Sequence, residues 1–158
     1  MIATLISPEQ VLELAFGHSY DLSPQNITPS DIAAATSRYI TPVMGQQLMQ
    51  CVMEGKYPDL SQQYVAPALA CAVRLMVQPS LNIRTADSGL IAPRGETMTP
   101  PSTAAAQQLM HSLKIRTREL VGRLSDHLNT SCNLYAEYNP KNNILNRCSI
   151  DGGLIQIF

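Results

Sequence analysis

Between Ser61 and Val77 the chain carries Val65, Ala68, Leu69, Ala72, Val73, Leu75, Met76 and Val77, which together cover most of the circumference of a helix. A helix that is apolar on nearly every side cannot lie on a surface, so the rest of the chain must supply elements that surround it. That requirement selects a helical bundle with one central member. Pro67 lies inside the pattern and marks either a kink or the first turn of the helix, and Pro79 is expected to break the run. With 158 residues the chain is long enough for one domain with a real core. No stretch approaches the roughly 20 apolar residues that span a bilayer, so membrane insertion is not expected.

The surrounding helices announce themselves by their starts. Ser7-Pro8-Glu9-Gln10 has a capping residue, a proline suited to the first helical position and a glutamine three residues after the cap. Val11, Leu12, Leu14, Ala15 and Phe16 follow as an apolar face, and Gly17 ends it. Thr28 or Ser30 caps a second helix from Asp31 to about Ile40, with Asp31 at its positive end. Thr41-Pro42 repeats the cap-and-proline signature and opens a third helix to about Glu54, with Met44, Leu48, Cys51 and Val52 as one stripe before Gly55.

After the central helix, Leu81 to Thr85 alternates like a strand, Asp87-Ser88-Gly89 turns, and Leu90-Ile91 returns, a small hairpin. Residues 92–103 contain Pro93, Gly95, Pro100 and Pro101 and read as a linker or arm. The longest helix runs from about Ser102 to Asn129, with Leu109, Leu113, Leu120, Leu124 and Leu128 on one side. On it Arg116, Glu119, Arg123 and Asp126 form an alternating ladder of a solvated face. The fold class expected is therefore mainly α: a bundle of about five helices with a small β-hairpin and a possible C-terminal hairpin at Asp151-Gly152. Residues 1–140 read as the helical domain and 141–158 as a tail.

The residues that usually carry chemistry are present but scattered. His18, His111 and His127 have no ligand-like spacing to one another, and Cys51, Cys71, Cys132 and Cys148 contain no C-x-x-C pair. Glycines are dispersed without a phosphate-binding pattern, and carboxylates are isolated. No catalytic residue, cofactor, metal or small-molecule substrate is expected. The start of the chain lacks the basic and apolar regions of a secretion signal, so an intracellular setting is expected.

Charge is sparse, at 15% of residues against roughly 25% in an average soluble domain, and a weakly charged surface resists association poorly. It is also uneven. Residues 1–60 hold Glu9, Glu13, Asp21, Asp31, Glu54 and Asp59 against Arg38 and Lys56, a net of −4, whereas the remainder nets +3. Such a split suits head-to-tail packing of identical subunits if the two regions lie on different flanks. Lys114, Arg116, Arg118 and Arg123 offer the alternative of a nucleic-acid-binding or regulatory helix. Glu119 and Asp126 interrupt that set, and the third helix has no basic residue for phosphate contacts, so nucleic acid is not the expected partner.

The order of elements, with the segment Tyr39-Ile40-Thr41-Pro42-Val43-Met44-Gly45-Gln46-Gln47-Leu48 and the hairpin after an alanine-rich central helix, resembles a family of small proteins of Bacteroidetes phages and prophages. Their relatives are the head–tail connector, or head-completion adaptor, proteins. The resemblance spans roughly residues 5–140. It implies a non-enzymatic virion component, assembled in the bacterial cytoplasm, that forms a ring with copies of itself and contacts the portal and other head–tail junction proteins. The candidate interface comprises Leu81, Ile83, Arg84, Leu90 and Ile91 of the hairpin, with Leu154, Ile155, Ile157 and Phe158 of the tail. Apolar terminal strands and isolated hairpins seek a partner strand, which either a neighbour or the chain's own helices would supply.

Overall fold

The computed structural model describes residues 4–17, 22–82, 84–86, 89–91 and 102–147. It is mainly α, with five helices packed around one core. Helix α1 comprises Pro8–Val11 and a π turn, Leu12–Phe16. Its capping box closes as the sequence predicts: the Gln10 N–H donates to Ser7 Oγ at 3.3 Å and the Ser7 N–H donates to Gln10 Oε1 at 2.9 Å. At its other end the Arg74 guanidinium donates to the Ala15 carbonyl and lies 4.4 Å from the centre of the Phe16 ring. A cation there satisfies a terminal carbonyl and opposes the negative end of the helix dipole.

Helix α2 begins at Pro29, and Thr28 is its cap: the Asp31 N–H donates to Thr28 Oγ1 at 3.2 Å and the Thr28 N–H to Asp31 Oδ2 at 2.9 Å. The expected break at Thr41-Pro42 is absent. The helix runs through Pro29–Ala35, a π turn at Thr36–Ile40 and Thr41–Met44. In an α-helix Pro42 would press its ring on the Arg38 carbonyl. The wider π turn just before it relieves that crowding, and the Thr41 hydroxyl and N–H both donate to the Thr36 carbonyl.

The break falls instead at Gly45, whose φ of 82° and ψ of 157° are open essentially to glycine alone. Helix α3, Gln46–Met53, follows. An added Cβ at Gly45 would meet nothing within 4 Å, so Gly45→Ala tests backbone strain without a clash. It is expected to cost about 1–3 kcal/mol in urea unfolding.

Helix α4 is the central one: Pro58–Leu60, a π turn at Ser61–Val65, and Ala66–Asn82. Pro67 again sits just beyond a π turn, the same accommodation as at Pro42. Pro79 does not end the helix as expected; it is exposed near the end of α4, and the Ser80 hydroxyl donates to the Val77 carbonyl at 2.7 Å. The segment Pro58–Leu81 is, by length and composition, apolar enough to cross a membrane, contrary to the expectation from the sequence, but 61% of its most apolar window is buried inside the fold. Val65, Ala68, Leu69, Ala70, Ala72 and Val73 are fully buried, which identifies α4 as the core helix.

Because α4 extends to Asn82, Leu81 is helical and packs against the core rather than opening a strand. The strands are β1, Arg84–Ala86, and β2, Gly89–Ile91, antiparallel with Arg84 opposite Ile91. Helix α5, Thr103–Thr130, starts on Ser102, whose Oγ accepts from the Ala105 N–H at 3.2 Å. It packs along α4 from Leu113 onward, burying Leu113, Thr117, Val121, Leu124, Ser125 and Leu128. No residue from Thr103 to Ser112 is buried, so roughly 15 Å of helix, at 1.5 Å per residue, carries no core side chain.

The segment after α5 folds back in two 3₁₀ turns, Cys132–Leu134 and Ile144–Asn146. Side-chain hydrogen bonds pin it. Asn143 is fully buried; its Nδ2 donates to Ser125 Oγ and to Tyr138 Oη, each at 2.8 Å, and its Oδ1 accepts the Leu145 N–H at 2.9 Å. Tyr138 Oη donates to Asn129 Oδ1 at 2.7 Å, and Asn129 and Asn146 exchange amide hydrogen bonds at 2.8 Å.

Candidate interaction surface

The main polar centre of the described surface is built on Glu137, in the returning C-terminal segment. Its carboxylate takes a hydrogen-bonded ion pair from Lys56 and a hydrogen bond from Tyr57 Oη at 2.8 Å, both in the α3–α4 connection some 80 residues earlier. The two donors, Lys56 first, hold the Glu137 pKa down from the ordinary 4.5 to about 2. The same contact raises the Lys56 ammonium and Tyr57 phenol. Cys51 is raised by burial first and then by the Glu137 charge, which leaves it a poor nucleophile.

A carboxylate depressed in the folded state contributes stability above its unfolded pKa and loses it as pH falls through the folded value. Stability supplied by Glu137 is therefore expected to fade between about pH 4.5 and about pH 2. Glu137→Gln should flatten that part of a plot of melting temperature against pH.

Beside this pair the rings of Tyr57 and Tyr135 meet edge to face at 5.1 Å, and Tyr64 stacks on His127 at 4.0 Å. His127 Nε2 lies 3.0 Å from Tyr135 Oη. His127, which has no ligand-like spacing in the sequence, joins the end of α5 to α4 and the C-terminal segment. Glu137 also lines a cleft of about 390 Å³, together with Thr41, Pro42, Gly45, Gln46, Gln47, Asn139 and Asn142, among others. Four of these are amide side chains, able to donate and to accept, so the cleft suits a polar chain more than an apolar ligand. The Gly45 break places the start of α3 at this cleft.

The four candidate cations of α5 are exposed, but do not make one face. At about 100° per residue, Lys114 and Arg118 share one flank and Arg116 and Arg123 the other. The expected Arg116–Glu119–Arg123–Asp126 ladder forms no ion pair; Lys56–Glu137 is the one salt bridge among the described residues. Arg84, Leu90 and Ile91 lie in the paired strands, with Arg84 and Ile91 brought opposite each other. Ile83, Leu154, Ile155, Ile157 and Phe158 lie outside the described residues, as do His18, Cys148 and the suggested Asp151-Gly152 turn. Cys51, Cys71 and Cys132 are free thiols, and among the described residues no three His, Cys, Asp or Glu side chains gather as a metal-binding group.

Fold and surface together define a mainly α-helical protein with a polar, amide-rich face and an incompletely packed long helix. The chain belongs to DUF6712, a family of unknown function, whose model matches residues 26–147. That stretch runs from before α2 through the C-terminal 3₁₀ turn, so it includes the cleft and the Glu137 centre. No curated protein and no solved structure matches the chain.

Proposed function

We propose that the chain is a non-enzymatic structural subunit of a phage or prophage, a head–tail connector or adaptor that works through contacts with its own copies and with portal-side proteins. The observation that carries the assembly part is α5, none of whose first ten residues is fully buried, while the following turns pack on α4. A helix that is amphipathic in its second half and has no core residue in its first ten is suited to contacts outside its own chain. The sparse surface charge supports the same reading. The connector part rests on the resemblance of the Tyr39–Leu48 segment and the order of elements. The alternative, a nucleic-acid binder using Lys114, Arg116, Arg118 and Arg123, is less favoured because these cations diverge to two flanks of α5.

Mass spectrometry of density-gradient-purified particles, produced by a strain carrying this gene, tests the proposal. The chain is expected in intact particles and in fractions retaining the head–tail vertex. Its absence from particles would contradict the proposal, as would a steeply salt-dependent affinity of the isolated chain for duplex DNA.

A further inference from the structure

The outward side of α1 and one flank of α5 are matched in charge and in form. On α1, Val11 and Ala15 point into the core, and Glu9, Gln10, Glu13 and Leu14 are exposed; Leu14 is 40% exposed. On α5, Leu113 and Thr117 are buried, and His111, Lys114, Ile115 and Arg118 are exposed, with Ile115 at 44%. Each patch thus has one bare aliphatic side chain beside two like charges, acidic on α1 and basic on α5.

Glu9 and Glu13 are four residues apart, as are Lys114 and Arg118. Like charges at this spacing face each other across a helix turn and repel. Glu9 is hydrogen-bonded within its own helix start, but neither pair has an ion-pair partner among the described residues. Two pairs of opposite sign, each next to an exposed aliphatic, make complementary halves of one contact.

We infer that the α1 face of one copy docks on the Lys114–Ile115–Arg118 face of the next, a head-to-tail contact between identical chains. It rests on the assembly reading above and specifies the surfaces used. Leu14 and Ile115 meet at the centre, and the carboxylates reach the ammonium and guanidinium around them. The two surfaces are different, so the contact is heterologous and propagates until a ring closes.

Charge exchange tests it on the full chain by sedimentation velocity. The double variants Glu9→Lys with Glu13→Lys, and Lys114→Glu with Arg118→Glu, keep a like-charge pair on each helix, and all four positions are exposed. Each variant alone is expected to weaken self-association at least about tenfold. An equimolar mixture, in which every basic face can meet an acidic one, is expected to recover association to within about threefold of wild type. Ile115→Ser, which alters no charge, should weaken it as well.

Wild-type-like assembly of either double variant alone, or no recovery on mixing, would overturn the inference while leaving the assembly reading intact. A wild-type chain that stays monomeric at every concentration would overturn both. Circular dichroism melting of each variant, expected within a few degrees of wild type, separates lost association from lost folding.

Discussion

Leu69→Ala is expected to lower stability by about 2–5 kcal/mol, measured by urea unfolding at neutral pH. Leu69 has no exposed surface and sits midway along α4, the helix against which α1, α2 and α5 pack. Truncation removes the transfer free energy of its outer carbons and leaves a cavity that several helices must collapse to fill. Because α4 touches most of the fold, collapse on one side opens space on another, which places the cost in the upper part of the range. A loss below about 0.5 kcal/mol would mean that α4 is not the core helix.

The second large effect is expected at Asn143. Asn143→Ala removes two donated bonds, to Ser125 and Tyr138, and the acceptor for the Leu145 N–H, at a position with no access to water. Each buried group left without a partner costs about 1–3 kcal/mol, partly recovered where the hydroxyl oxygens find another donor. A net loss of about 2–4 kcal/mol is expected. Hydrogen exchange should show faster exchange in 131–147 than in α4, because the network is what ties this segment to α5. Equal acceleration everywhere would place Asn143 in the global core instead.

Much of the helical framework is readable from local chemistry. The box at Ser7, the glycine stops at Gly17 and Gly55, and the all-round apolarity of α4 are local signals that the structure follows, and of the two caps open for the second helix it uses Thr28. The prolines misled because the usual rule assumes α geometry. At Pro42 and Pro67 a π turn directly upstream makes room for the ring, and the sequence signal for a π turn is weak. The signal for the α2–α3 break is Gly45, whose positive φ ends the helix three residues after the proline.

The polar surface was hidden for a different reason. Glu137 meets Lys56 and Tyr57 across 81 and 80 residues, and no spacing rule links groups that only tertiary packing brings together. The Tyr64–His127 stack is of the same kind. The Asn-rich stretch did signal polarity, but a polar stretch reads as loop unless one of its amides is known to be buried, as Asn143 is.

The central claim is that this chain acts by assembling with copies of itself. Native mass spectrometry of the purified full-length chain, at ammonium acetate concentrations from about 0.05 to about 0.5 M, tests it most directly. The account predicts one closed oligomer, of fixed stoichiometry, whose share rises with protein concentration and falls as salt rises. A monomer at every protein concentration and at the lowest salt would contradict it.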